Sequence, residues 1–163
     1  RQMCIRDSGY AVSGGLEIAL ACDLRFCSEN AKFGLQDVKW GFHACDGALV
    51  RLPHIVGMGA TMELVLSGEL INAEHAHKIN LVNKIYANNS LLEKTLEYAH
   101  LLNKRAPLAI KFAKQTLRNT LSMPIENALR HEVRSFYDLG QSEDLAEGMR
   151  AFRERRDAKF KGK

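Results

Sequence analysis

Apolar positions along the chain fall into two regimes, one of mixed period up to residue 88 and one of helical period after it. The first regime opens on an apolar run interrupted by Gly14 and Gly15, and residues 15–22 read as a helix that ends at Asp23. Residues 24–27 alternate as in a short strand, and residues 31–34 suggest another extended piece. Residues 37–49, with Gly41 and Gly47, keep no period and read as a loop. Met58, Met62, Val65 and Leu66 return at helical spacing, with Gly68 as the stop. Asn72 suits an N-cap, although His75 stands where a capping box wants Glu or Gln. Residues 81–86 read as a strand, and residues 88–90 as a turn into a helix.

Beyond that turn the pattern is helical. Leu92, Leu96, Ala99 and Leu102 make one stripe before Pro107, and Ile110, Ala113 and Leu117 make a second. Ile125, Leu129, Val133, Phe136 and Tyr137 make a third, which Gly140 ends. Each helix has one apolar and one charged face, so each must pack on something. The pattern therefore predicts an α/β piece over residues 9–88 and a helical domain over residues 89–163. The stripes do not separate packing within the chain from packing between copies.

Composition adds limits. The 163 residues are 46% hydrophobic and 26% charged, ordinary for a globular chain long enough to bury a core. No run approaches 18 consecutive apolar residues, so no membrane span or membrane partner is expected. Residues 1–8 carry two arginines and an aspartate and lack an apolar signal region; they are expected to be a junction leader outside the fold. The four cysteines form no C-x-x-C pair and the six histidines no ligand spacing, so no metal site is expected. Cys22 and Cys27 lie among apolar residues as buried thiols would, which favours a reducing compartment, cytoplasmic or mitochondrial matrix. Residues 149–163 hold seven Lys/Arg against two Asp/Glu in a chain whose net charge is +4. Such a tail is either a solvated terminus or a holder of polyphosphate. Few aromatics and no helix-turn-helix pattern argue against nucleic acid.

The stretch that carries chemistry is residues 9–23. A glycine pair lets backbone N–H groups approach a ligand that any Cβ would hold away. The first turn of a helix leaves such donors unpaired, and an oxyanion needs them. Glu17 places a carboxylate beside them. The plainer reading is an acidic residue complementing the helix dipole. A capping box does not account for it, because Leu16, not Glu17, stands three residues after Ser13.

Gly-Tyr-Ala-x-x-Gly-Gly-x-Glu-x-Ala-x-x-Cys-Asp over residues 9–23 resembles the signature of the crotonase superfamily, the enoyl-CoA hydratase/isomerase group. The likeness runs on through Ala31-Lys32-Phe33-Gly34-x-x-Asp37-x-x-x-Gly41, Arg51-Leu52-Pro53, Ile55-Val56-Gly57 and residues 62–69. It continues through Ile71-Asn72-Ala73-Glu74-x-Ala76 and Leu81-Val82, and closes with Glu147-Gly148-Met149-x-Ala151-Phe152-x-Glu154-x-Arg156. The resemblance implies the C-terminal portion of a crotonase-like spiral core, its N-terminal half missing, followed by a helical domain that builds a homotrimer or hexamer. It implies an acyl-CoA thioester substrate, with coenzyme A as part of that substrate and no separate cofactor.

By the same resemblance the Gly14 N–H is one oxyanion donor, and the other belongs to a loop preceding residue 1. Glu17 and Asp37 become the catalytic carboxylates, Phe152 and Arg155 the coenzyme A contacts. Asp37 stands where hydratases usually have glutamate, Ser13 mildly replaces a third glycine, and residues 42–47 lack the usual Pro-Gly-Ala-Gly-Gly look. Asp46 in that loop is therefore a second candidate acid. The implied activity is hydration of a 2-enoyl-CoA, with enoyl- or dienoyl-CoA isomerisation as the alternative. A silent fragment or homologue that keeps only its assembly and binding surfaces is the alternative of another class.

Overall fold

The computed structural model describes residues 4–7 and 9–163, with side chains from residue 9 onward. The chain forms two compact units, the first reaching to Ala99 and the second running from His100 to Lys163.

The first unit holds two three-stranded sheets. In one, β1 (Cys4–Asp7) and β6 (Lys84–Tyr86) flank β3 (Leu24–Ser28), all parallel. In the other, β2 (Tyr10–Val12) runs parallel to β4 (Lys32–Gly34), whose far edge takes β5 (Ile71–Asn72) antiparallel. Residues 4–7, within the suspected junction leader, pair as β1 with β3 and so extend the sheet ahead of residue 9. Strand pairing uses backbone groups that every non-proline residue carries, so a charged sequence does not forbid it. Residues 1–3 and 8 lie outside the described residues.

Helix α1 (Gly14–Ala21) follows β2 directly, and a 3-10 helix, Gln36–Trp40, follows β4. α2 (Ala48–Ser67) covers part of what reads as a loop. Gly47 caps it at φ 106° and Gly68 ends it at φ 64°, both left-handed. Pro53 sits inside and Gly57 (φ 81°, ψ 162°) breaks the helix, while Thr61 Oγ1 donates to the Gly57 carbonyl at 2.8 Å. Among the described residues α2 is the one helix long and apolar enough to cross a membrane. The break leaves pieces 48–56 and 58–67, each about half of the ~20 residues a span needs.

α3 (Ala73–Lys78) starts as expected at Asn72, whose Oδ1 accepts the His75 N–H at 2.8 Å. Leu16, Phe33, Leu35, Leu52 and Leu81 form the centre of the core with Cys27, and Cys22 is buried as well. α4 (Leu91–Asn103) begins in this unit: Leu91 is buried, and Tyr98 meets Phe26 edge-on at 5.1 Å between ring centroids. The division thus falls within α4, later than residue 88, because its first turns pack on the sheet.

Gly34 ends β4 at a close approach. A Cβ there would lie 2.9 Å from the Glu69 carbonyl oxygen and 2.9 Å from Leu70 Cδ2. A backbone oxygen cannot swing away, so Gly34→Ala should cost about 1–3 kcal/mol, the range for overpacking. Calorimetry should then record a Tm fall of about 2–4 °C per kcal/mol for a chain of this size, and an unchanged Tm would refute the close approach.

In the second unit α5 (Pro107–Thr120) packs on α6 (Ile125–Gly140), with Thr116 Oγ1 donating to Ser135 Oγ at 2.8 Å. On α6, Ile125, Leu129, Val133, Phe136 and Tyr137 remain exposed. A further helix, α7 (Glu143–Glu154), was hidden by its charged first turn; Ser142 Oγ caps it by accepting the Leu145 N–H at 3.1 Å.

The tail after α7 is tied down, which corrects the solvated-terminus reading. Buried Asp144 accepts the N–H groups of Lys161 (2.7 Å) and Gly162 (2.9 Å). Glu147 accepts two guanidinium bonds from Arg156 (2.6 and 3.0 Å) and the Lys159 N–H (3.0 Å). The Arg156 hydrogen bonds, then the Lys159 N–H, hold the Glu147 carboxyl down at about 2. A depressed carboxyl stabilises the folded state above its ordinary value of 4.5 and loses that contribution as pH falls toward 2. The protection factor of the Lys159 N–H, its exchange relative to an unstructured peptide at the same pH, should accordingly fall as pH drops between those limits, and an unchanged protection factor would mean that Glu147 does not hold the tail.

Candidate active site

Register decides what meets what. In the β2–β4 pair Val12 lies opposite Gly34, and the Ser13 N–H donates to the Gly34 carbonyl at 2.9 Å. Two chain segments therefore leave the sheet side by side at the carboxyl ends of parallel strands, where α/β sheets place ligands. One becomes α1, carrying Gly14 and Glu17 in its first turn; the other becomes the 3-10 helix, carrying Asp37.

At the start of α1 the N–H groups of Gly14 and Gly15 have no partner among the described residues. Both glycines are exposed, and nothing lies within 4 Å of where a Cβ would stand. Donors facing open space at a helix N-terminus suit an oxyanion. Ser13, at φ 48° and ψ −118°, makes the turn from strand to helix and caps nothing with its side chain. The replacement at residue 13 is not mild, since an L residue seldom adopts that backbone.

Glu17 is 4% exposed. Its Oε1 accepts two backbone N–H bonds, from Asp46 at 2.8 Å and Ala48 at 3.0 Å. These donors flank Gly47 at the N-terminus of α2, so the helix end fixes one carboxylate oxygen and leaves Oε2 for chemistry. Asp37 is 6% exposed, and its Oδ2 is buried with no hydrogen-bond partner among the described residues. A buried carboxylate oxygen costs free energy unless something pairs with it, so it marks a place for a ligand or water.

Asp46 does reach this site, but through its backbone N–H; its side chain is exposed. Phe152 and Arg155 lie in the second unit. Phe152 is 81% exposed on α7, and Arg155 ends that helix at φ 54° with no carboxylate partner among the described residues. Arg25 is a residue that pattern reading passed over. Its buried guanidinium donates to the carbonyls of Leu81 (2.6 Å) and Cys22 (2.8 Å), closing the C-terminal end of α1. Burial pulls its pKa below the usual arginine value. Its only signal is an arginine in an otherwise apolar strand.

Uncommitted helix N–H donors and two buried carboxylates thus lie on the two segments that leave the paired strands β2 and β4. The family profile for enoyl-CoA hydratase/isomerase matches residues 7–163. The (E)-benzylidenesuccinyl-CoA hydratase of Thauera aromatica is 39% identical over 155 residues, covering 95% of this chain and 60% of that protein. A carnitinyl-CoA dehydratase of Salmonella typhimurium is 37% identical over 160 residues, covering 96% and 61%. Among solved structures, an enoyl-CoA hydratase from Bacillus anthracis superposes with TM-score 0.92 at 31% identity, covering 94% of this chain and 60% of that one. One from Mycobacterium tuberculosis gives 0.91 at 32%, covering 95% and 62%. The chain belongs to the enoyl-CoA hydratase/isomerase family and has the crotonase-like fold. It spans about 60% of the length of these relatives.

Proposed function

We propose that the protein hydrates a 2-enoyl-CoA to a 3-hydroxyacyl-CoA. The observation that carries this reading is the pair of carboxylates: Glu17 with one oxygen locked by two N–H bonds, and Asp37 with a buried oxygen awaiting a partner. Glu17 takes a proton from water as the water oxygen bonds to C3, and protonated Asp37 delivers a proton to C2. Between these events the thioester oxygen carries negative charge, which the Gly14 N–H stabilises by about 3–4 kcal/mol, the worth of one donor in comparable sites. A second donor, which the family resemblance calls for, is proposed to complete the oxyanion hole. An isomerase of the 3,2 type needs only one carboxylate, and the presence of both favours the hydratase.

Coenzyme A enters with the substrate and no other cofactor is invoked. Phe152 and Arg155 are proposed to contact it, through ring stacking and phosphate pairing. The buried Cys22 and Cys27 suit a reducing compartment, the cytoplasm. The exposed stripe from Ile125 to Tyr137 is proposed to be covered in a homotrimer or hexamer, since an apolar patch of that extent rarely faces water. Light scattering at micromolar concentration is expected to give three or six copies, and a stable monomer would sink that part. The test of the activity itself is loss of the conjugated enoyl-thioester absorbance with crotonyl-CoA. The protein would be expressed with whatever residues precede Arg1 in its reading frame; no loss of absorbance would reject the reading.

A further inference from the structure

We infer that Ser13 is a nucleophile that cleaves the thioester of a saturated acyl-CoA held in the same site, giving the enzyme a second, hydrolytic activity. The proposal rests on the acyl-CoA reading above and concerns a different bond of the substrate.

Four observations converge on Ser13. It turns strand β2 into helix α1 at φ 48° and ψ −118°, a left-handed conformation that a glycine would take without strain. A strained strand-to-helix turn is how hydrolases lift a serine hydroxyl off the backbone into a site. Such a turn needs small residues two places either side, and Ala11 and Gly15 stand there. The N–H of the residue after the nucleophile must face the oxyanion, and the Gly14 N–H is uncommitted. Finally, a serine before a helix ordinarily caps it, whereas this hydroxyl makes no capping bond.

The base is one helical turn away. The Glu17 N–H donates to the Ser13 carbonyl at 3.0 Å, which ties the two residues together at the start of α1. Glu17 Oε1 is held by Asp46 and Ala48, which leaves Oε2 to accept the serine proton. Asp37 Oδ2, buried and without a partner among the described residues, lies on the segment leaving the neighbouring strand and independently points to a ligand at this end of the sheet.

The step balances as follows. Ser13 Oγ bonds to the thioester carbonyl carbon while its proton passes to Glu17, and the carbonyl oxygen becomes an oxyanion at the Gly14 N–H. The C–S bond then breaks, and the departing coenzyme A thiolate takes the proton from Glu17. Water attacks the acyl-serine, Glu17 removes its proton and returns it to Ser13 Oγ, and a carboxylic acid leaves. No oxidant, reductant or metal takes part.

Butyryl-CoA separates this activity from hydration, because it has no double bond to hydrate. Expressed with any residues that precede Arg1 in its reading frame, the protein is expected to release thiol from butyryl-CoA. Rapid quenching should trap one butyryl group on the peptide containing Ser13. Ser13→Gly relieves the backbone strain, so Tm should rise while thiol release falls at least about a hundredfold, as for loss of a nucleophile. Ser13→Cys should restore a trapped acyl adduct. Thiol release that persists in both Ser13→Gly and Ser13→Ala, or an adduct on Glu17 instead, would overturn the inference. Absence of any thiol release would overturn it too. In that case continued hydration of crotonyl-CoA would leave the hydratase reading standing, whereas loss of both would reject the site as a whole.

Discussion

Glu17→Gln should lower turnover of a 2-enoyl-CoA by at least about a hundredfold, the lower range for loss of a general acid/base, while leaving the fold intact. The reason lies in how the side chain is held. Both anchoring bonds go to Oε1, from the Asp46 and Ala48 N–H groups. A glutamine places its carbonyl oxygen there, because the opposite orientation would point an NH2 group at two N–H donors. The amide nitrogen then occupies the place of Oε2 and cannot accept a proton from water. Burial, shape and anchoring survive; only the base is lost. Affinity for substrate should move little, since coenzyme A contacts are proposed on other residues, so the loss falls on kcat. Crotonyl-CoA absorbance measures the rate and a melting curve checks the fold. Full activity in this variant would end the proposed mechanism.

Asp37→Asn should give a loss of similar size by a different route. Asp37 Oδ2 is buried with no partner among the described residues, which supports a role in binding over a role in the fold. Asparagine keeps the volume but cannot release a proton to C2. Aspartate is one methylene shorter than the glutamate common in hydratases, a withdrawal of about 1.5 Å that can cost about a hundredfold where nothing compensates. The proposed mechanism requires the backbone to compensate, and the 3-10 helix that carries Asp37, packed against α2, is the element proposed to do so. Asp37→Glu is therefore expected to retain activity within about tenfold, since the acid is kept and only its reach changes. Rates for Asp37→Asn, Asp37→Glu and Asp46→Asn decide the assignment. If Asp46→Asn abolished turnover and Asp37→Asn spared it, the second acid would belong to the 42–47 loop and isomerisation would be favoured.

Which parts of this fold were legible follows from what kind of signal each leaves. Helix α1 shows in its glycine pair and apolar run, and β3 in alternation. The third stripe gives α6 almost to the residue, because Gly140 closes it. The 3-10 helix leaves no mark, since so short a turn has no period to detect. Residues 50–57 show no clear period and predict no element, whereas the structure keeps Pro53 inside a helix and breaks it at Gly57. For the site, Glu17 and Asp37 are visible by residue type. The N–H groups that hold Glu17 are not, because backbone donors look alike in every sequence. The strain at Ser13 was hidden for the same reason: a serine in the sequence does not announce its φ.

The parallel pairing of β3 with β6 has a consequence for how the protein is made. Phe26 and Cys27, both buried in the finished fold, pair with Lys84 and Ile85. A ribosome must therefore finish α2, α3 and the turn before β6 while that edge of β3 stands without its strand. Unpaired edges with apolar side chains are what other nascent chains adhere to. Between synthesis of residue 28 and residue 84 that edge is therefore open to such adhesion.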